Sequence, residues 1–214
     1  MKYKYVLFDL DGTLTESAPG ITNAAVYALK AFGVSAEPSE LGFFVGPPLG
    51  GSFMRCGLSE EQARKAIDVY REYYVAKGMF ENKPYAGVED MLRRLSEAGA
   101  ELIVATSKPE PFAVQILEHF GLAGYFSVIA GSTLDETRTH KPEVIEYALA
   151  AAGVSDRSAA IMIGDRSYDV DGAKATGVSA MGVLYGYGAP EEFEEAEFVA
   201  ASPAEVADIL LRAS

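Results

Sequence analysis

Hydrophobic positions change period several times along the chain. Tyr5-Val6-Leu7-Phe8 is apolar without alternation, as in a strand buried on both faces of a parallel sheet, and it runs into Asp9-Leu10-Asp11-Gly12. After Thr15 the period becomes helical. Ile21, Ala24, Ala25, Ala28, Leu29 and Phe32 recur at spacings of three and four, with Gly33 as a stop. A break follows over Gly42–Gly51. Ser59 with Gln62 then forms a capping-box signature for a helix to about Lys77, whose stripe is Ala63, Ala66, Ile67, Tyr70, Tyr73 and Tyr74. From Pro84 onward strand and helix patterns alternate. Strands are predicted at Leu102–Ala105, Ser127–Ala130, Ala160–Ile163, Ala180–Leu184 and Phe198-Val199. Helices are predicted over about Val88–Ala98, Pro111–Phe120, Lys141–Ala152, Val170–Ala175 and from Pro203.

This βα order predicts an α/β protein with a doubly wound, Rossmann-like parallel sheet and right-handed crossovers. The stretch between about residues 16 and 80 carries no strand signal and interrupts the alternation. It reads as an inserted α-helical cap domain over 16–81, with residues 1–15 and 82–214 forming the core. The hinges are expected near Thr15–Ser17 and Asn82–Tyr85.

Composition narrows the function classes. A net charge of −13 argues against a nucleic-acid partner, whose phosphate backbone it would repel. A small phosphorylated ligand stays open, because one lysine and a metal reverse the field inside a pocket. The lone Cys56 allows no internal disulfide and suits a reducing, cytoplasmic setting; it reads as a small hydrophobe. The first apolar run is too short for a signal peptide or a membrane span, so no membrane association is expected. A monomer is the default expectation, with a homodimer through the cap as the alternative.

Four strand ends carry polar groups. Asp9 and Asp11 lie two residues apart at the end of the first strand, where ligands of open α/β sheets collect. Two carboxylates so close need a cation between them, and a hard ion such as Mg²⁺ matches oxygen ligands. Thr106-Ser107 follows the second strand, where a hydroxyl and free N–H groups can cradle phosphate. Lys141 stands at a helix start, where a cation opposes the dipole and wants an anion to face. Gly164-Asp165-Arg166-Ser167-Tyr168-Asp169 adds a second acidic pair after another apolar strand.

In this order, Asp9-Leu-Asp-Gly-Thr-Leu-Thr15, Thr106-Ser-Lys-Pro109, Lys141-Pro142 and Gly164-Asp-Arg-Ser-Tyr-Asp169 resemble the four motifs of the haloacid dehalogenase superfamily. Val45-Gly-Pro-Pro-Leu49, Ala105–Pro109 and Tyr185-Gly-Tyr-Gly188 are similar to its 5'-nucleotidase-like members, close to the phosphoglycolate phosphatases. The resemblance implies a Mg²⁺-dependent phosphatase acting on a nucleoside 5'-monophosphate or phosphoglycolate. It implies Asp9 as nucleophile forming an aspartyl-phosphate, and Asp11 as acid and base. Asp9, Asp165, Asp169 and the Asp11 carbonyl would bind metal. Thr106, Ser107, Gly12 and Lys108 would lie against the phosphate, and Lys141 would neutralise Asp9 and the transferring group. Dehalogenases of the superfamily lack a carboxylate at the position of Asp11, so a phosphoester is favoured. A sugar-phosphate mutase of the β-phosphoglucomutase type keeps both aspartates and stays an alternative, as does a non-catalytic phosphate-binding protein on the same fold. Pro48 and Arg55 are candidates for the cap face that selects the leaving group, or belong to a plain helix-to-helix connection.

Overall fold

The computed structural model describes residues 1–135 and 137–213. In chain order its elements are β1 (Tyr5–Phe8), α1 (Ala18–Ala31), α2 (Leu49–Arg55), α3 (Glu60–Ala76), α4 (Val88–Glu97), β2 (Glu101–Pro109), α5 (Glu110–His119), β3 (Phe126–Ser132), α6 (Lys141–Ala151), β4 (Ala160–Gly164), α7 (Ser167–Thr176), β5 (Ser179–Val183), β6 (Phe198–Ala200) and α8 (Pro203–Arg212). The six strands form one parallel sheet in the order β3-β2-β1-β4-β5-β6. The fold is therefore the doubly wound α/β arrangement that the strand–helix alternation predicts.

β1 sits at the centre. Leu7 lies opposite Ile103 of β2 on one side and Met162 of β4 on the other. These three pack with Val144 and Ile145 of α6 and Ala173 of α7 in one core cluster. Alternate residues of β1, Val6 and Phe8, point the other way and are equally buried. That is why the strand shows no polar alternation: it has no solvent face. Burying each such side chain contributes about 1.5–3 kcal/mol. Chain order runs outward through β2 to β3, then returns to the centre for β4 and continues to β6. The winding reverses between β1 and β4, the place where open α/β sheets take their ligands.

The chain divides into two compact units, one of residues 1–15 with 84 onward and one of Glu16–Lys83. In the second unit the Glu16 N–H donates to the Lys83 carbonyl at 2.8 Å, so its two ends meet. The capping box is present: the Gln62 N–H donates to Ser59 Oγ at 3.2 Å and the Ser59 N–H to Gln62 Oε1 at 2.9 Å. Phe44, Phe53, Tyr70 and Tyr74 form a chain of rings with successive centroids 5.0, 6.3 and 5.4 Å apart.

Three boundaries differ from the periodicity. The predicted break over 42–51 hides the start of α2, because Gly50 and Gly51 lower helix propensity while Phe53, fully buried between Phe44 and Tyr70, holds the helix by packing. β2 continues past Ala105 to Pro109, since its pairing with β3 resumes after a register shift at Pro109–Ser132. Thr106 and Ser107 thus lie within the irregular end of a strand. α7 begins at Ser167, ahead of Val170, because the Asp169 carboxylate accepts the Arg166 N–H at 3.1 Å and closes the first turn.

Candidate active site

The carboxyl ends of β1 and β4 lie side by side. The Asp9 N–H donates to the Ile163 carbonyl at 2.9 Å, carrying the ladder one residue beyond β1. Asp9 Oδ1 accepts the Leu10 N–H at 2.8 Å, and the chain turns over Gly12 at φ +83°. A Cβ on Gly12 would stand 2.1 Å from Asp165 Oδ2, so both the conformation and the space require glycine.

Lys141, the first residue of α6, is buried. Its Nζ lies 3.1 Å from Asp9 Oδ1, 2.7 Å from Asp169 Oδ1 and 3.2 Å from the Ala105 carbonyl oxygen. Asp9, Asp165 and Asp169 each place a carboxylate oxygen within 4.8 Å of the others. Asp165 and Asp169 are buried, as is Lys141. Three carboxylates therefore share one cluster with a single ammonium, and negative charge is in excess.

That imbalance sets the protonation of the group. Burial, with the Asp169 and Asp9 charges added to it, pushes the Asp165 carboxyl up to about 8. Burial raises Asp169 to about 6, with Lys141 opposing the rise. For Lys141, burial pulls its pKa down, but Asp169 and Asp9 outweigh it and hold the ammonium above its ordinary value. An all-oxygen, over-negative cluster of this kind suits a hard divalent cation, and Asp9, Asp165 and Asp169 could hold one.

Other expected residues fall into place around this cluster or away from it. The side chain of Asp11 is not among the three: its Oδ2 pairs with Lys108 Nζ at 2.8 Å. The Thr106 hydroxyl is buried and accepts the Lys108 N–H at 3.2 Å, while Ser107 is half-buried at the same strand end. Pro48 caps α2 and Arg55 ends it, with the Arg55 guanidinium 4.0 Å from the Phe43 ring centroid; both belong to the Glu16–Lys83 unit. His140 is the N-cap residue of α6. Burial pushes the Cys56 thiol up, consistent with a packing role.

The loop after β5 carries contacts that local pattern gives no role. The Tyr187 N–H donates to Asp165 Oδ2 at 2.8 Å, and the Thr13 hydroxyl donates to Oδ1 at 3.4 Å. The Tyr185 hydroxyl donates to the Thr13 carbonyl at 3.1 Å, and burial beside Asp165 raises its pKa. A Cβ on Gly186 would stand 2.3 Å from both Asp165 Cβ and the Gly12 carbonyl oxygen. The signal was in the alternation Tyr185-Gly-Tyr-Gly188, whose glycines mark a close backbone approach.

The family model described as haloacid dehalogenase-like hydrolase matches residues 6–183. A 5'-nucleotidase from Pseudomonas aeruginosa is 43% identical over 195 residues, covering 90% of this chain and 87% of its own. A phosphoglycolate phosphatase from Vibrio parahaemolyticus is 30% identical over 219 residues, covering 97% and 96%. The crystal structure of a predicted phosphatase from Clostridium acetobutylicum matches with a TM-score of 0.93 at 49% identity, over 99% of each chain.

Proposed function

Because the chain belongs to the haloacid dehalogenase-like hydrolases and is a phosphoric monoester hydrolase, we propose that it cleaves a nucleoside 5'-monophosphate or phosphoglycolate through a phosphoryl group carried on Asp9. The observation behind this reading is the meeting of Asp9, Asp165 and Asp169 oxygens within 4.8 Å, with Lys141 Nζ against Asp9 and Asp169.

The chemistry follows from those residues. An Asp9 oxygen forms a bond to phosphorus as the bond to the leaving alcohol breaks, and Asp11 gives the departing oxygen its proton. Asp11 then takes a proton from the water that displaces phosphate from Asp9. One water is consumed and both aspartates return to their starting state. Thr106 and the Ser107 N–H hold phosphoryl oxygens, the Gly12 backbone borders them, and Lys141 offsets charge on Asp9 and the transferring group. A Mg²⁺ ion held by Asp9, Asp165, Asp169 and the Asp11 carbonyl would supply further neutralisation of phosphoryl charge. Pro48 and Arg55 are proposed to contribute to leaving-group choice. With this reading we propose a cytoplasmic protein without nucleic-acid or membrane partners, a monomer by default with a homodimer as the alternative. Among the described residues no helix is long and apolar enough to cross a membrane.

A phosphate-release screen over nucleotides, sugar phosphates, phosphoglycolate and pyrophosphate tests it. The expected result is turnover of AMP or phosphoglycolate with kcat/KM on the order of 10⁴ M⁻¹s⁻¹ or higher, lost in EDTA and restored by Mg²⁺. Conversion of a sugar 1-phosphate in the presence of a bisphosphate, with little phosphate released, would replace hydrolysis by mutase chemistry.

A further inference from the structure

The carboxylate of Asp11 has two unlike oxygens. Oδ2 lies 2.8 Å from Lys108 Nζ, in a pair whose side chains are only 13% and 6% exposed. Oδ1 is buried and has no hydrogen-bond partner among the described residues. Lys108 itself is aimed by the strand. It follows the register shift in β2 after Ala105, and irregularities of this kind redirect side chains next to sites. Its backbone N–H is tied to the Thr106 hydroxyl at 3.2 Å.

We propose that Lys108 is a positioning residue for the proton transfers. It holds Asp11 through Oδ2, so that Oδ1 alone exchanges the proton. The inference rests on the monoesterase reading above, and it reassigns Lys108 from a phosphate contact to a group acting through Asp11. An ammonium donates and never accepts, and a protonated carboxyl has one O–H to give. The oxygen facing Lys108 therefore serves as acceptor, and the proton resides on Oδ1. As the phosphorus–oxygen bond of the ester breaks, that proton passes to the leaving alkoxide. It is replaced by one from the water that later attacks the phosphoaspartate. The leaving oxygen is the hydrogen-bond partner that Oδ1 otherwise lacks.

The test compares Lys108→Met with the parent enzyme on two esters. p-Nitrophenyl phosphate has a leaving group that departs without help from a proton. The second ester is the alkyl phosphate selected by the screen, AMP or phosphoglycolate, whose alcohol needs one. In each case kcat/KM reports the steps up to formation of the phosphoaspartate. The expected loss is on the order of 10²-fold on the alkyl ester and at least about tenfold smaller on the aryl ester, with KM little moved. In an Asp11→Asn background the same replacement should cost less than about threefold more, because residues acting as one unit are not additive. An equal loss on both esters carried by KM, or additivity with Asp11→Asn, overturns the proposal and leaves Lys108 as a phosphate contact. If Lys108→Met melts below the assay temperature, Lys108→Gln carries the same comparison: a loss confined to the alkyl ester supports the proposal, and an equal loss overturns it. A parent enzyme that hydrolyses neither ester refutes the monoesterase reading instead, so the two failures are distinct.

Discussion

Among the described residues, the buried polar side chains of the Glu16–Lys83 unit are Ser17, Thr22 and Ser52, and none is charged. At the carboxyl edge of the sheet they include Asp165, Asp169 and Lys141. The helical unit is held by rings that interlock, Phe44 on Phe53, Phe53 on Tyr70 and Tyr70 on Tyr74. The sheet edge instead gathers three carboxylates around one lysine. In the first region the interlocked rings favour the folded state together. In the second, neighbours oppose one another, and the surrounding apolar strands supply the stability that holds them together. Removing a side chain from the first should cost stability, whereas removing a carboxylate from the second should cost chemistry.

The sharpest trial of that contrast is Asp9→Asn. Its kcat/KM should fall by a factor on the order of 10⁴, while circular-dichroism melting stays at or above that of the parent, because one of three crowded carboxyl groups is gone. A large drop in Tm would erase the distinction between the two regions. Phe53→Ala is the converse. Phe53 is fully buried between two rings, and its truncation should cost about 3–5 kcal/mol in urea unfolding.

A smaller effect follows from protonation. The buried Asp165 carboxyl sits at about 8, above its ordinary value near 3.9. A raised carboxyl contributes stability that is complete below the unfolded value and lost as pH rises through the folded one. In EDTA, Tm should therefore fall between about pH 4 and pH 9. Asp169, at about 6, acts in the same direction over the lower part of that range. Asp165→Asn should flatten the slope. Mg²⁺ should restore stability most strongly at pH 8 and above, where it meets the least competition from protons. Thermal-shift measurements with and without the ion read all three. The smallest effect is expected at Ser59, whose hydroxyl accepts the Gln62 N–H: Ser59→Ala should cost about 1 kcal/mol with kcat/KM unchanged.

Much of this architecture was legible from short-range pattern. An apolar run such as Tyr5–Phe8 announces a strand with no wet face, and Ser59 with Gln62 announces a helix start, because each depends on residues within one turn or one pleat. The convergence of Asp9, Lys141, Asp165 and Asp169 was legible for a related reason. Each stands at a strand end or at the start of the helix that follows one, and a doubly wound sheet gathers such ends on one edge. α2 was not, because its two glycines speak against a helix and only the packing of Phe53 overrules them. The length of β2 was not, because it depends on β3 pairing again beyond a register shift.

Local periodicity in the amino-acid sequence thus determined where strands and helices fall along the chain, and the position of each acid at a strand end or helix start determined which of them one sheet edge gathers. Tertiary structure alone decided which charge faces which. It paired Asp11 with Lys108, and it laid the Tyr185–Gly188 loop over Asp165 and Thr13. The reason is one of range. Tyr185 and Thr13 lie 172 positions apart, and a contact over that distance is chosen by how the whole sheet twists and packs, which no window of neighbouring residues encodes.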